Sequence, residues 1–99
     1  MYKVITTKLF EGTLDKITSY LIQTYSSKIA ENYLEELRQQ IQNLALFPYM
    51  WPENQMPEFS NHRILISRKN IVFYRVDEEK KIVICEIITS SDQNYLNLK

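Results

Sequence analysis

Ninety-nine residues with 44% hydrophobic content make one domain, too apolar for a disordered chain and long enough to fold without metal or disulfide staples. The 12 basic and 12 acidic residues cancel, which counts against a life on nucleic-acid phosphates, where a basic excess is the rule. A single cysteine, Cys85, rules out an intrachain disulfide, and no signal-peptide core or membrane-length apolar run appears, so the expectation is a cytoplasmic protein with no membrane contact.

Taken in chain order, Tyr2 to Thr6 reads as a short strand with Tyr2, Val4 and Thr6 on one face. From about Thr7 the period changes. Phe10, Leu14, Ile17, Leu21 and Tyr25 recur at spacings of four and three, one face of a helix that Thr6 or Thr7 can cap. Gly12 inside it costs about 1 kcal/mol against Ala, so this helix relies on packing. Ser26-Ser27 punctuates and supplies a hydroxyl for the next N-terminus. Ala30, Leu34, Leu37, Ile41 and Leu44 then repeat 4-3-4-3 on a second helix that Phe47-Pro48 ends. Two helices joined by two serines form an antiparallel hairpin with an apolar stripe to bury.

Pro48 to Ser60 carries all three prolines, the only Trp and two of the three Met. It is a stiffened loop of about a dozen residues, a length that tends to be functional or mobile. Tyr49, Met50 and Trp51 either tuck over the helix ends or meet a partner. Next come three apolar runs between His62 and Ile88, rich in Val, Ile, Phe and Tyr. Ile64 and Ile66 fall opposite Arg63, Leu65 and Ser67; Ile71, Phe73 and Arg75 alternate with Val72, Tyr74 and Val76. The third run is apolar at nearly every position except Glu86, as a strand covered on both faces would be. The breaks at Arg68-Lys69-Asn70 and Asp77 to Lys81 have hairpin length. The pattern predicts an α+β fold: an N-terminal strand, a helical hairpin and a three-stranded antiparallel meander, giving a four-stranded sheet with both helices on one face.

Chemistry-bearing constellations are few. The chain has one His and one Cys, far apart, and nothing spaced to ligate a metal; a single Gly leaves no phosphate loop. No cofactor is implied. His62 beside Arg63 either does acid–base work or lines a strand edge. Cys85 reads as a small core residue. Arg63, Arg68, Lys69, Arg75, Lys80 and Lys81 form either a basic patch or a solvated face interrupted by Asp77, Glu78 and Glu79.

The element order, with the wording L-x-x-F-P near Phe47, H-R-I-L-I at 62–66 and N-I-V-F-Y-R-V-D at 70–77, resembles the RelE/ParE superfamily of toxins from bacterial type II toxin–antitoxin modules. The resemblance covers essentially the whole chain and implies a growth-inhibiting toxin of the plasmid-stabilization kind. RelE-like members cleave mRNA on the ribosome; ParE-like members poison DNA gyrase. The ribonuclease branch begins its R-L-V-Y strand with an arginine, where this chain has Ile71, and follows its last strand with basic groups where this chain has Ser90, Ser91, Asp92 and Gln93. Arg63 and Tyr95 are the remaining catalytic candidates. The aromatic N-I-V-F-Y-R-V-D strand is closer to the ParE side, although the His-Gly-Arg-Arg-like ending of that side is absent. The resemblance therefore implies a ParE-like toxin that acts by binding, with DNA gyrase as its target. The alternatives are a ribosome-dependent mRNA endoribonuclease and a degenerate, non-toxic binding module. It also implies a cognate antitoxin, received by the helical hairpin, an exposed sheet edge and the loop residues Tyr49, Met50, Trp51 and Met56. Sequence-specific DNA binding by the toxin alone is not expected.

Overall fold

The computed structural model describes residues 1–55, 57 and 60–90. Strand β1 (Lys3–Thr6) leads into helices α1 (Lys8–Thr24) and α2 (Ser27–Gln42), which ends in a 3-10 turn at Asn43–Ala45. The proline loop follows, then β2 (Arg63–Ser67), β3 (Asn70–Asp77) and β4 (Ile82–Ser90). The sheet order is β1-β4-β3-β2. The meander is antiparallel as the pattern predicts, while β1 joins its far side parallel to β4, making the sheet mixed.

Local chemistry sets the helix starts. Thr7 Oγ1 accepts from the Phe10 amide at 3.0 Å, and Ser26 Oγ accepts from the Ile29 amide at 3.1 Å. Each hydroxyl takes one of the amides that a helix leaves without an internal partner. Gly12 lies on the exposed side of α1, with nothing near the place of a Cβ. Phe10, Leu14, Ile17 and Leu21 are buried as the period predicts, but Tyr25 is not on that stripe: it lies past the helix end and is 56% exposed. Ala30, Leu37, Ile41 and Leu44 carry the buried stripe of the second helix, the last from the 3-10 turn, with Leu34 at its margin.

Both stripes pack on Leu65, Val72, Tyr74, Val83, Cys85 and Ile88, the inner face of the sheet. The third apolar run is covered on both faces in its first half, where Val83, Ile84 and Cys85 are buried in succession, and changes phase in its second. Phe73 pairs with Ile87 but Tyr74 with Cys85, so Glu86 is an extra residue in the ladder. The bulge switches the phase of β4. Val83 and Cys85 face inward before it; Ile88 and Ser90 do so after it. Both parities are apolar because the phase changes at the bulge and because Ile84 is buried on the other face before it. Thr7 Oγ1 donates to the Glu86 carbonyl at 2.7 Å, so one hydroxyl both caps α1 and fixes that helix against the bulge.

Candidate partner-binding site

The proline loop is held on three sides. Along β2, the Ile64 amide donates to the Pro52 carbonyl at 3.0 Å and the Asn54 amide to the His62 carbonyl at 2.8 Å, with a bridge between Glu53 and Arg63. The loop thus covers the first half of an edge strand that would otherwise offer free amides and carbonyls. From inside, the buried Tyr74 hydroxyl donates to the Pro48 carbonyl at 2.8 Å, and burial pushes this phenol up to about 12.

Arg63 supplies the third hold. Its Nη1 donates to the Trp51 carbonyl at 2.6 Å and the Tyr49 carbonyl at 3.4 Å, its Nη2 lies 3.5 Å from Glu53, and its guanidinium sits 4.9 Å from the Tyr49 ring centroid. Five fixed donors suit arginine to this work. The side chain read as a catalytic candidate therefore serves the loop's geometry. Tyr95 and Met56 lie outside the described residues.

Around Glu78 in the β3–β4 turn, Tyr2, Tyr49 and Lys81 all donate to one carboxylate, and the Lys81 ammonium lies 5.2 Å from the Tyr2 ring centroid. Lys81 first, then the two phenols, hold Glu78 down to about 2, and the carboxylate in turn pushes Tyr49 up to about 12. This clasp ties β1, the loop and the β3–β4 turn together at one corner.

What the clasp presents is apolar. Leu46, Phe47, Tyr49 and Met50 are between 49% and 61% exposed, one after another at the end of α2. Trp51 turns the other way and packs against the core, its indole nitrogen buried. Of the loop residues singled out in sequence, Tyr49 and Met50 are outward and Trp51 is inward. Leu46 and Phe47 were missed because Phe47-Pro48 reads first as a helix stop; the available signal was an apolar run, Leu46 to Trp51, too long for a polar loop.

A second cluster lies on the opposite, helix-free face. Glu86 accepts from Arg75 Nε at 3.0 Å and bonds His62 Nε2. Desolvation raises the Glu86 carboxyl, but the His62 and Arg75 bonds outweigh it and leave the group below its ordinary value. His62 is mostly buried, including its Nδ1, so the ring is committed to the protein and not to an incoming substrate. Arg68 is likewise paired, with Glu36. The six cations of the meander do not make a patch: Arg63, Arg68, Arg75 and Lys81 each answer a carboxylate in a different place. Burial pushes the Cys85 thiol up to about 12, which removes it as a nucleophile. Among the described residues no three potential ligands gather for a metal, and no helix is long and apolar enough to cross a membrane.

The family model described as the ParE toxin of the type II toxin–antitoxin system parDE matches residues 4–94. No curated protein matches the chain. Among solved structures it is similar to a chain of the chromosomal ParDE TA system from P. aeruginosa, with a TM-score of 0.75 and 16% identity over 91% of this chain and 96% of that one. It is also similar to a chain of the RelBE2 toxin–antitoxin complex from Mycobacterium tuberculosis, with a TM-score of 0.61 and 16% identity over 90% and 96%. At that identity these two likenesses speak for the fold alone.

Proposed function

The chain belongs to the ParE toxin family of type II toxin–antitoxin systems and is the toxin component of such a module; we propose that it acts by binding its target and not by cutting RNA, and that a cognate antitoxin holds it inactive. The observation that carries this reading is the rigid apolar surface from Leu46 to Met50. A run of exposed aromatic, leucine and methionine side chains on a clamped backbone costs little ordering entropy to bind, and such residues concentrate binding energy at interfaces. An antitoxin segment laying an apolar stripe along this surface fits helix-in-groove recognition. For the target, the ParE-side resemblance of the β3 strand supports DNA gyrase.

Chemistry supports the same side. Cleavage of RNA by its 2′-hydroxyl asks for a base, an acid and a cation near the phosphate. Ile71 is aliphatic, Arg63 is engaged by the loop, and His62 is engaged by Glu86. The expected result in a ribosome-programmed reaction is intact mRNA, alongside inhibition of gyrase supercoiling. Codon-dependent cuts that vanish on Arg63→Ala or Tyr95→Phe would replace this reading with the ribonuclease one. Expression without antitoxin that leaves growth untouched would mark a degenerate binding module instead.

A further inference from the structure

Sulfur is sparse in this chain, confined to Cys85 and the three methionines Met1, Met50 and Met56. Cys85 is fully buried, and burial pushes its thiol up to about 12, so almost no thiolate is offered to an oxidant. Met50 is placed differently. It is 54% exposed, on the same corner as the exposed Leu46, Phe47 and Tyr49. Its backbone is fixed on both sides. The Met50 amide donates to the Phe47 carbonyl at 3.3 Å, and the carbonyls of Tyr49 and Trp51, its two neighbours, both accept from Arg63 Nη1. Trp51 takes the inward place against the core. With the chain held and the inner position filled, the Met50 thioether stays in solvent in the free toxin.

A thioether differs from the leucine and phenylalanine beside it in one reaction. Its sulfur attacks one oxygen of a peroxide, the O–O bond breaks, and the second oxygen leaves as water once it has taken the proton; the sulfur is oxidised to a sulfoxide and the peroxide is reduced. The product puts a polar acceptor on a surface that was apolar. Under a bound partner that oxygen needs a donor, and the donors of this corner are engaged. Tyr49 and Lys81 donate to Glu78, and Arg63 holds two carbonyls and lies against Glu53. Covering an acceptor without a donor is unfavourable.

We propose that Met50 is an oxidation site whose sulfoxide keeps the toxin from being captured by its antitoxin. The inference rests on the reading of the Leu46–Met50 surface as the antitoxin's seat. Linkage gives it a direction: an antitoxin that covers Met50 shields the thioether, so peroxide acts on free toxin, and the sulfoxide formed there keeps that toxin free.

The test treats the full chain with hydrogen peroxide, alone and in complex with a cognate antitoxin. Peptide masses locate the added oxygen, and calorimetric titration gives the Kd before and after. Met50 gains oxygen faster in the free protein than in the complex. Its oxidation raises the Kd roughly tenfold or more, and methionine sulfoxide reductases, which reduce it with a dithiol and release water, restore the original value. Met50→Leu binds as the wild type does and keeps its Kd after peroxide. Met50→Gln, with a permanent polar group of similar length, binds weakly without peroxide. Met50 left unoxidised, or oxidised with the Kd unchanged, overturns the proposal, as does an equal loss of affinity in peroxide-treated Met50→Leu. Phe47→Ala separates that failure from failure of the underlying reading. If it weakens capture while the sulfoxide does not, the oxidation site alone falls; if neither matters, the surface is not the antitoxin's seat and both fall.

Discussion

Glu78 shows what single residues do in this molecule. One exposed carboxylate receives Tyr2, Tyr49 and Lys81, and through them joins three segments far apart in sequence. Its folded value of about 2 is below the ordinary 4.5, so the clasp's contribution to stability is complete above pH 4.5 and is lost as pH falls through about 2. Melting temperatures measured across that window should fall more steeply for the wild type than for Glu78→Gln; parallel curves would mean the clasp adds nothing. At this scale the sequence was legible where chemistry is local. Thr7 and Ser26 precede helical periodicity and cap, and Pro48 stops a helix. The roles of Glu78, Arg63 and Arg75 were not legible, because their partners are brought near only by the fold: 76 residues separate Tyr2 from Glu78. Arg63 had a chemical identity that fitted catalysis and a position that gave it a structural task.

The elements divide the same way. Helical stripes were read from period alone, since a buried face of a helix needs nothing beyond its own spacing. Leu37, fully buried between the hairpin and the sheet, should cost about 2–5 kcal/mol when replaced by Ala, measured by urea unfolding. A loss below about half a kcal/mol, within the range of surface substitutions, would mean the stripe does not face the core. Strand β4 was read as a strand but not in its phase. The bulge at Glu86 leaves a charged residue among apolar ones, and that is a real signal, yet which residue is doubled depends on β3 and on Thr7. The direction of β1 was also beyond reach, because four residues fit either a parallel or an antiparallel neighbour. The three prolines marked the loop; its pairing with β2 along Pro52 to Asn54 had no local mark.

At the scale of the whole molecule, helices cover one face of the sheet, and one corner carries the clasped apolar surface. The fold could be foreseen because apolar periods switch from two to 3.6 and back at clear punctuation. The functional class was legible through strand wording that resembles a family. The binding surface was legible only in part: the loop stood out by its Trp, Met and Tyr, but burial decided that Trp51 looks inward while Leu46 and Phe47 join Tyr49 and Met50 outside. Trp51 lies next to that surface and is the only tryptophan, so it is a built-in reporter.

The sharpest test of the Leu46–Met50 surface is a titration of Trp51 fluorescence with a cognate antitoxin, using wild type and a Phe47→Ala variant of equal urea midpoint. The expected result is a shift in Trp51 emission and a Kd raised roughly tenfold or more by the substitution, the size of one interface anchor. An unchanged Kd, with both proteins folded, would contradict it.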